Sequence, residues 1–218
     1  GTVLERAGVE ARLVQNQAPI LAPDAVSTFE DNPAAVSGNA LANDVDPEAR
    51  PLSVTNPGTR AGTYGTLTLL ADGSFSYAVA NASAIVQRLA LGETASDSFG
   101  YSATDNDPNG AATASSTITA SIDGRNDAPV AAMDFAFASE DGFLQASGSV
   151  LANDSDVDNG AVLGIVSPGT FSGTYGTLVL AANGAFTYTL NNDSSAVQSL
   201  AQFVEVSEVF AYSATDGI

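Results

Sequence analysis

The feature that most limits what this chain can become is that it repeats itself. At an offset of 110 or 111 residues, Glu30-Asp31 falls on Glu140-Asp141, and LAND at Leu41 to Asp44 falls on LAND at Leu151 to Asp154. At the same offset GTYGTL at Gly62 to Leu67 meets GTYGTL at Gly173 to Leu178, and YSATD at Tyr101 to Asp105 meets YSATD at Tyr212 to Asp216. Two copies of one domain are therefore present, which suits a 218-residue chain when single cores occupy roughly 100–200 residues.

Within a copy the periodicity is that of strands. Thr63 to Leu70 and Gly73 to Ala80 flank Ala71-Asp72-Gly73, a hairpin signal that recurs around Asn183-Gly184. Phe75 and Tyr77, Phe99 and Tyr101, Phe186 and Tyr188, and Phe210 and Tyr212 are each spaced two apart, so both rings of a pair share one strand face. That placement predicts core, and no binding role is assigned to these rings. Ser83 to Ala90 and Ser194 to Ala201 carry apolar residues three to four apart behind a serine, which predicts one short helical turn per copy. The remainder is short strands punctuated by Gly, Asn, Asp and Pro, the pattern of an immunoglobulin-like sandwich.

Composition closes most chemistry. The chain has no Cys, no His and no Lys, which removes disulfides, thiolate and imidazole catalysis, His-ligated zinc and Schiff bases. Its 25 acidic residues against 6 Arg give a formal charge of −19, which disfavours nucleic acid and anionic membrane surfaces as partners and favours divalent cations. No stretch approaches the roughly 18 apolar residues of a membrane span, so no membrane insertion is expected. Gly1 is neither an initiator Met nor part of a signal peptide, and the chain reads as a processed product or an excerpt.

The order GTYGTLTLLADGSFSYAV, AIVQRLALGETASDSFGYSATD and IDGRNDAPV resembles the VCBS and bacterial cadherin-like repeats of very large secreted adhesins and biofilm proteins. The resemblance covers nearly the whole chain. It implies tandem all-β sandwiches, an extracellular or cell-surface location and Ca2+ near domain junctions, and it identifies no ligand.

The acidic clusters are suited to calcium, which takes roughly six to eight hard oxygen ligands. Asn153 to Gly160 (NDSDVDNG) supplies acids at alternate positions, Asp154, Asp156 and Asp158, closed by a glycine, without the later bidentate Glu of an EF-hand. Asn126-Asp127-Ala128-Pro129 is similar to the cadherin linker. The expected metal set is Asp105, Asp107, Asn126, Asp127, Glu140, Asp141, Asp154, Asp156 and Asp158, with Glu30, Asp31, Asp44, Asp46 and Asp216 as weaker candidates. Against this stands the plain reading that Asp and Asn are good turn formers on an acidic surface. The earlier linker reads Asn16-Gln17-Ala18-Pro19, so an amide replaces an acid and a weaker site is expected there.

The two ends of the sequence carry a further expectation. After YSATD the first copy continues with Asn106 to Arg125, where Ile118, Ala120 and Ile122 alternate as a last strand should; the second copy has only Gly217-Ile218. At the front, Val9, Ala11 and Leu13 alternate in the same way at an offset of 109 from that strand, and Val3 lies in the same formally neutral segment. The expected organisation is a donor-type strand and linker over residues 1–16, a first sandwich over 17–125, and a second sandwich over 126–218 lacking its last strand. A sandwich short of one strand is a template for strand addition. The linker cannot carry the leading strand back past a whole domain, so the expected partners are copies of the chain joined head-to-tail.

Three functions compete at this level: a structural subunit of a calcium-stiffened extracellular filament or adhesive fibre; a two-repeat excerpt of a giant adhesin that spaces domains or touches surface or glycan ligands; and an enzyme using paired carboxylates. The last is disfavoured, because the acids recur in the turns of both copies and no large insertion shapes a cleft.

Overall fold

The computed structural model describes residues 15–218, and the leading segment with Val3, Val9, Ala11 and Leu13 lies outside them. The chain divides into two compact units: residues up to Asn81 with Thr94–Ile122, and Ala82–Glu93 with Asp123–Ile218. Among the described residues, no helix is long and apolar enough to cross a membrane.

The first unit is a two-sheet sandwich. One sheet has the order β2 (Val36–Asn39), β6 (Ser74–Val79), β5 (Gly65–Leu69), β4 (Gly58–Ala61), all neighbours antiparallel. The register pairs Leu67 with Tyr77 and Leu69 with Phe75, and these four buried side chains fill one face. The hairpin between them turns at Gly73, whose φ of 83° suits a residue without a Cβ. The other sheet has the order β1 (Asp24–Phe29), β8 (Thr113–Asp123), β7 (Thr94–Thr104), β3 (Ser53–Val54). Phe99, Tyr101 and Ala103 from β7 and Ile118, Ala120 and Ile122 from β8 alternate into the core, as a period of two requires. The rings of Tyr77 and Phe99 join the two sheets with centroids 6.2 Å apart and planes tilted by 55°.

The second unit repeats the first sheet closely. Its order is β11 (Gly169–Ser172), β12 (Gly176–Leu180), β13 (Ala185–Leu190), β9 (Gln145–Ser149), with Leu178 opposite Tyr188 and Leu180 opposite Phe186. The opposing sheet is only β10 (Gly164–Ile165) with β14 (Ala214–Thr215). Residues 134–139 and 205–213, the counterparts of β1 and of most of β7, are not strands. The reason is local: in the first unit β8 lies between β1 and β7 and hydrogen-bonds to both, and no described residue takes its place in the second.

The core records the difference. Val150, Ile165, Leu178 and Leu180 are buried, but Phe186, Tyr188, Phe210 and Tyr212 pack against them only partly covered, whereas Phe99 and Tyr101 in the first unit are buried. Full burial of one such side chain contributes about 1.5–3 kcal/mol, so the second unit forgoes a substantial part of its cohesion.

The helical turns also differ between copies. Ser194 caps α1 (Ser195–Gln198) by accepting the Val197 amide, whereas Ser83 to Ala90 forms hydrogen-bonded turns, with the Val86 and Gln87 amides on the Ser83 carbonyl at 3.0 and 3.1 Å. A short helical turn therefore forms in each copy, as the spacing predicts, and only the second is regular enough to count as α-helix.

Candidate metal centre

In the second unit the linker is pinned to the acidic loop by an antiparallel bridge. The Val130 amide donates to Ser155 O at 2.7 Å, and the Ser155 amide returns the bond at 3.1 Å. This brings Asp127 beside the loop acids: its amide donates to Asp158 Oδ2 at 2.9 Å, and a carboxylate oxygen of each residue lies within 4.8 Å of the other. The Asp158 amide donates to Asp156 Oδ1 at 2.9 Å, an Asx turn that sets two carboxylates on one curve of backbone. Asp216, at the end of YSATD, joins Asn126, Asp158 and Gly160 around a shallow pocket. The Ile218 amide and then the Asn126 side chain hold the Asp216 carboxyl below the ordinary carboxylate range.

Three of these acids leave an oxygen unsatisfied. Asp156 Oδ2, Asp158 Oδ1 and Asp216 Oδ2 are buried without a hydrogen-bond partner among the described residues. Burying charge without compensation is strongly unfavourable, and hard anionic oxygens are the donors that Ca2+ takes.

The first unit builds the same place differently. The same bridge forms between Ile20 and Val45, at 2.8 and 3.1 Å. Here Gln17 replaces Asp127 and spends its amide on Glu48, donating to Oε1 at 3.0 Å, while its backbone N–H reaches Oε2 at 3.3 Å. Arg50 stands where the second unit has Gly160, and its guanidinium pairs with Asp107 Oδ2 at 2.9 Å. Asp46 Oδ1 accepts the Glu48 and Arg50 amides at 3.0 and 2.9 Å. Asp105 takes the Asp107 and Ala112 amides on Oδ1 and the Asn16 amide on Oδ2 at 2.6 Å. Burial pushes the Asp105 carboxyl up, but these hydrogen bonds and the Arg50 charge outweigh it and hold it low. Of these carboxylate oxygens only Asp46 Oδ2 is buried and unsatisfied.

Of the other acids singled out by sequence, Asp154, Asp44 and Asp141 have carboxylates engaged elsewhere. Asp154 takes the Ala132 amide at 2.7 Å and lies against the Tyr212 hydroxyl; Asp44 does the same with Ala22 at 2.8 Å and Tyr101 at 2.9 Å. Burial, then hydrogen bonding to Asp44, raises the Tyr101 hydroxyl above its ordinary value. Asp141 is locked to Asn192 by a reciprocal pair of bonds at 3.1 and 3.0 Å, at a backbone φ of 54°. The Asp31 amide donates to Asn81 Oδ1 at 3.1 Å, again at positive φ, 59°. Asn81 and Asn192, at equivalent positions of the two copies, thus each brace a turn. Glu140 is half-buried and its counterpart Glu30 fully buried.

Sequence reasoning passed over two carboxylates. Asp97, buried, accepts the amides of Thr63, Tyr64 and Gly65 at 2.7, 3.0 and 3.0 Å and the Tyr77 hydroxyl at 2.8 Å. Glu208 does the same in the second copy for Thr174, Tyr175 and Tyr188, at 2.6, 3.2 and 2.6 Å. The GTYGTL repeat is therefore a nest of amides around an acid, and a Cβ at Gly62 would fall 2.2 Å from Asp97 Oδ2. The only signal available was the acid shared by the two copies at the common offset, with its type changed from Asp to Glu.

The calcium-binding lectin RapA2 of Rhizobium johnstonii is 28% identical over 213 residues, covering 86% of this chain and 87% of that protein. Among solved structures, human protocadherin-24 domains EC1-2 align with 18% identity and a TM-score of 0.44, covering 83% of this chain and 82% of that one. Protocadherin gamma B2 domains 3–6 align with 14% identity and a TM-score of 0.47, covering 82% and 45%. A family model for the bacterial cadherin-like domain matches residues 16–124 and again 126–218, and the chain belongs to that family.

Proposed function

We propose that the chain is a non-enzymatic extracellular adhesive subunit of a bacterial filament or fibre, whose second unit binds calcium. Asp127, Asp156, Asp158 and Asp216, with Asn126 beside them, would hold the ion. Its chemistry there is neutralisation: one divalent charge ties the linker, the acidic loop and the end of YSATD together. The observation that carries this reading is the set of buried, unsatisfied oxygens on Asp156, Asp158 and Asp216. Membership of the bacterial cadherin-like family and the lectin relative named as calcium-binding support an adhesive, surface-exposed role. Surfaces and glycans are the ligand classes proposed.

Calorimetric titration with calcium tests this. Binding is expected in the wild type and lost in the Asp156→Asn, Asp158→Asn double variant, while Asp46→Asn in the first unit leaves it unchanged. Binding that survives the double variant contradicts the assignment.

A second observation favours strand donation between copies. Residues 134–139 and 205–213 are the counterparts of β1 and of most of β7, the strands to which β8 is bonded in the first unit, and the opposing sheet of the second unit is reduced to β10 and β14. The segment with Val3, Val9, Ala11 and Leu13 has the alternation of β8 and is the proposed donor, from a neighbouring molecule. Deleting Gly1 to Leu13 is expected to abolish head-to-tail assembly, and the same peptide in trans to cap it as short oligomers. A chain that stays monomeric throughout supports instead the alternative reading, a two-repeat spacer within a larger adhesin.

A further inference from the structure

Three Asn-Gly pairs occur in the sequence, Asn109-Gly110, Asn159-Gly160 and Asn183-Gly184, and the structure sets one apart. Asn-Gly is the pair most prone to succinimide chemistry, because no side chain on the second residue hinders attack by its backbone nitrogen. Attack needs that nitrogen to give up its proton, so a hydrogen bond from the same N–H opposes it.

At Asn183-Gly184 the Gly184 amide donates to Ala181 O at 3.0 Å, and Asn183 Oδ1 is occupied by the Ala185 amide at 3.1 Å. Gly184 is buried, and a Cβ there would meet Leu151 Cγ at 2.5 Å. At Asn109-Gly110 the Gly110 amide donates to Asp107 O at 3.2 Å, and its carbonyl accepts Asn16 Nδ2 at 2.9 Å. The Gly160 amide makes no hydrogen bond among the described residues. Gly160 is exposed at a φ of 75°, and nothing lies within 4 Å of where a Cβ would stand. Asn159 is exposed too; its own amide donates to Arg88 O at 3.0 Å and its Nδ2 to Glu93 Oε2 at 2.9 Å, both inside the same compact unit. Those bonds engage the backbone N–H and Nδ2 of Asn159 and leave the Gly160 N–H untouched.

We propose that Asn159 is a spontaneous deamidation site and thus a time-dependent modification of the acidic loop. The Gly160 nitrogen bonds to Asn159 Cγ, the Cγ–Nδ2 bond breaks, and ammonia leaves carrying the Gly160 amide proton. Water then opens the succinimide at either carbonyl to give aspartate or isoaspartate. Either product places one more negative charge directly after Asp158, and isoaspartate also adds a methylene to the backbone between Asp158 and Gly160. The site follows from the unbonded Gly160 amide and stands whether or not calcium binds nearby.

The test is ageing of the full chain at mildly alkaline pH, followed by chymotryptic digestion, which cuts between Asn159 and Asn183 at Phe171 and Tyr175, then mass spectrometry and isoaspartate methyl-transfer labelling. Deamidation at Asn159 should run about fivefold faster than at Asn109 or Asn183, the rate equivalent of one net backbone hydrogen bond. In denaturant the three rates should converge, and Asn159→Gln should remove the labelled peptide from that loop. Equal or faster reaction at Asn183 or Asn109 in the folded chain overturns the proposal, as does the same rank order persisting in denaturant.

Discussion

The two acidic clusters occupy the same position in two copies of one fold, yet one leaves a single carboxylate oxygen buried and unsatisfied and the other leaves three. Three exchanges account for it: Gln17 against Asp127, Arg50 against Gly160, and Asp107 against Ile218. In the first unit a guanidinium and an amide supply the donors that the carboxylates need. In the second unit those donors are gone, the acids remain, and three oxygens are left buried and unsatisfied. The sheets show the same contrast, because β8 closes the first unit and nothing described closes the second. Repetition of sequence therefore fixes the scaffold, while a handful of side chains decides whether a copy is self-sufficient.

The largest expected effect comes from erasing the sheet difference. Appending a copy of Asn106 to Arg125 after Ile218 should order residues 134–139 and 205–213 as strands and stabilise the second unit by about 3 kcal/mol or more, as Phe210 and Tyr212 become covered. Denaturant unfolding followed by tyrosine fluorescence reads this; an unchanged midpoint breaks the account of the open sheet.

Next come the turn carboxylates. Asp97→Ala strands three amides and the Tyr77 hydroxyl in a buried setting and should cost about 3 kcal/mol, whereas Glu208→Ala, in a half-buried one, should cost about 1–2 kcal/mol. Equal losses would show that the two nests are alike despite the open sheet.

Much of this was legible in the sequence, and the limits are physical. The repeat, the hairpins at Asp72-Gly73 and Asn183-Gly184 and the Phe–Tyr pairs could be read because each is local and periodic. Asp97 could not, since it braces amides 32 to 34 residues away and nothing near it in sequence marks it as a cap. The amide at Gln17 marks the first cluster as the weaker one in the sequence, but the decisive group, Arg50, meets Asp107 only through the fold. The helical turns diverge although SAIVQRLA and SSAVQSLA share one apolar spacing, the difference being confined to a four-residue helix.

Arg50→Gln sharpens the comparison by making the first cluster resemble the second. The expected loss is about 0.5–1 kcal/mol in calcium-free buffer, modest because the Arg50 side chain is 35% exposed. Calcium should then recover part of that loss, which it does not do for the parent first unit.

The smallest effect is in acid. Asp105 and Asp216 are both held below the ordinary carboxylate value, so each contributes stability that is present above about pH 3.9 and lost as pH falls through its lower folded value. Asp24 acts in the opposite sense: burial and then the Asp44 charge raise its carboxyl, so its ionised form is disfavoured in the fold as pH rises. Asp105→Asn should flatten the acid limb of the first unit's stability profile, and an unchanged limb would mean that Asp105 ionises alike in both states.

Hydrogen exchange with and without calcium, resolved along the chain, tests the central claim most directly. Calcium should slow exchange in residues 126–132, 154–160 and 214–218 while leaving 44–52 and 105–112 unchanged. Equal protection of both clusters, or none at either, contradicts the assignment of the second as the calcium site.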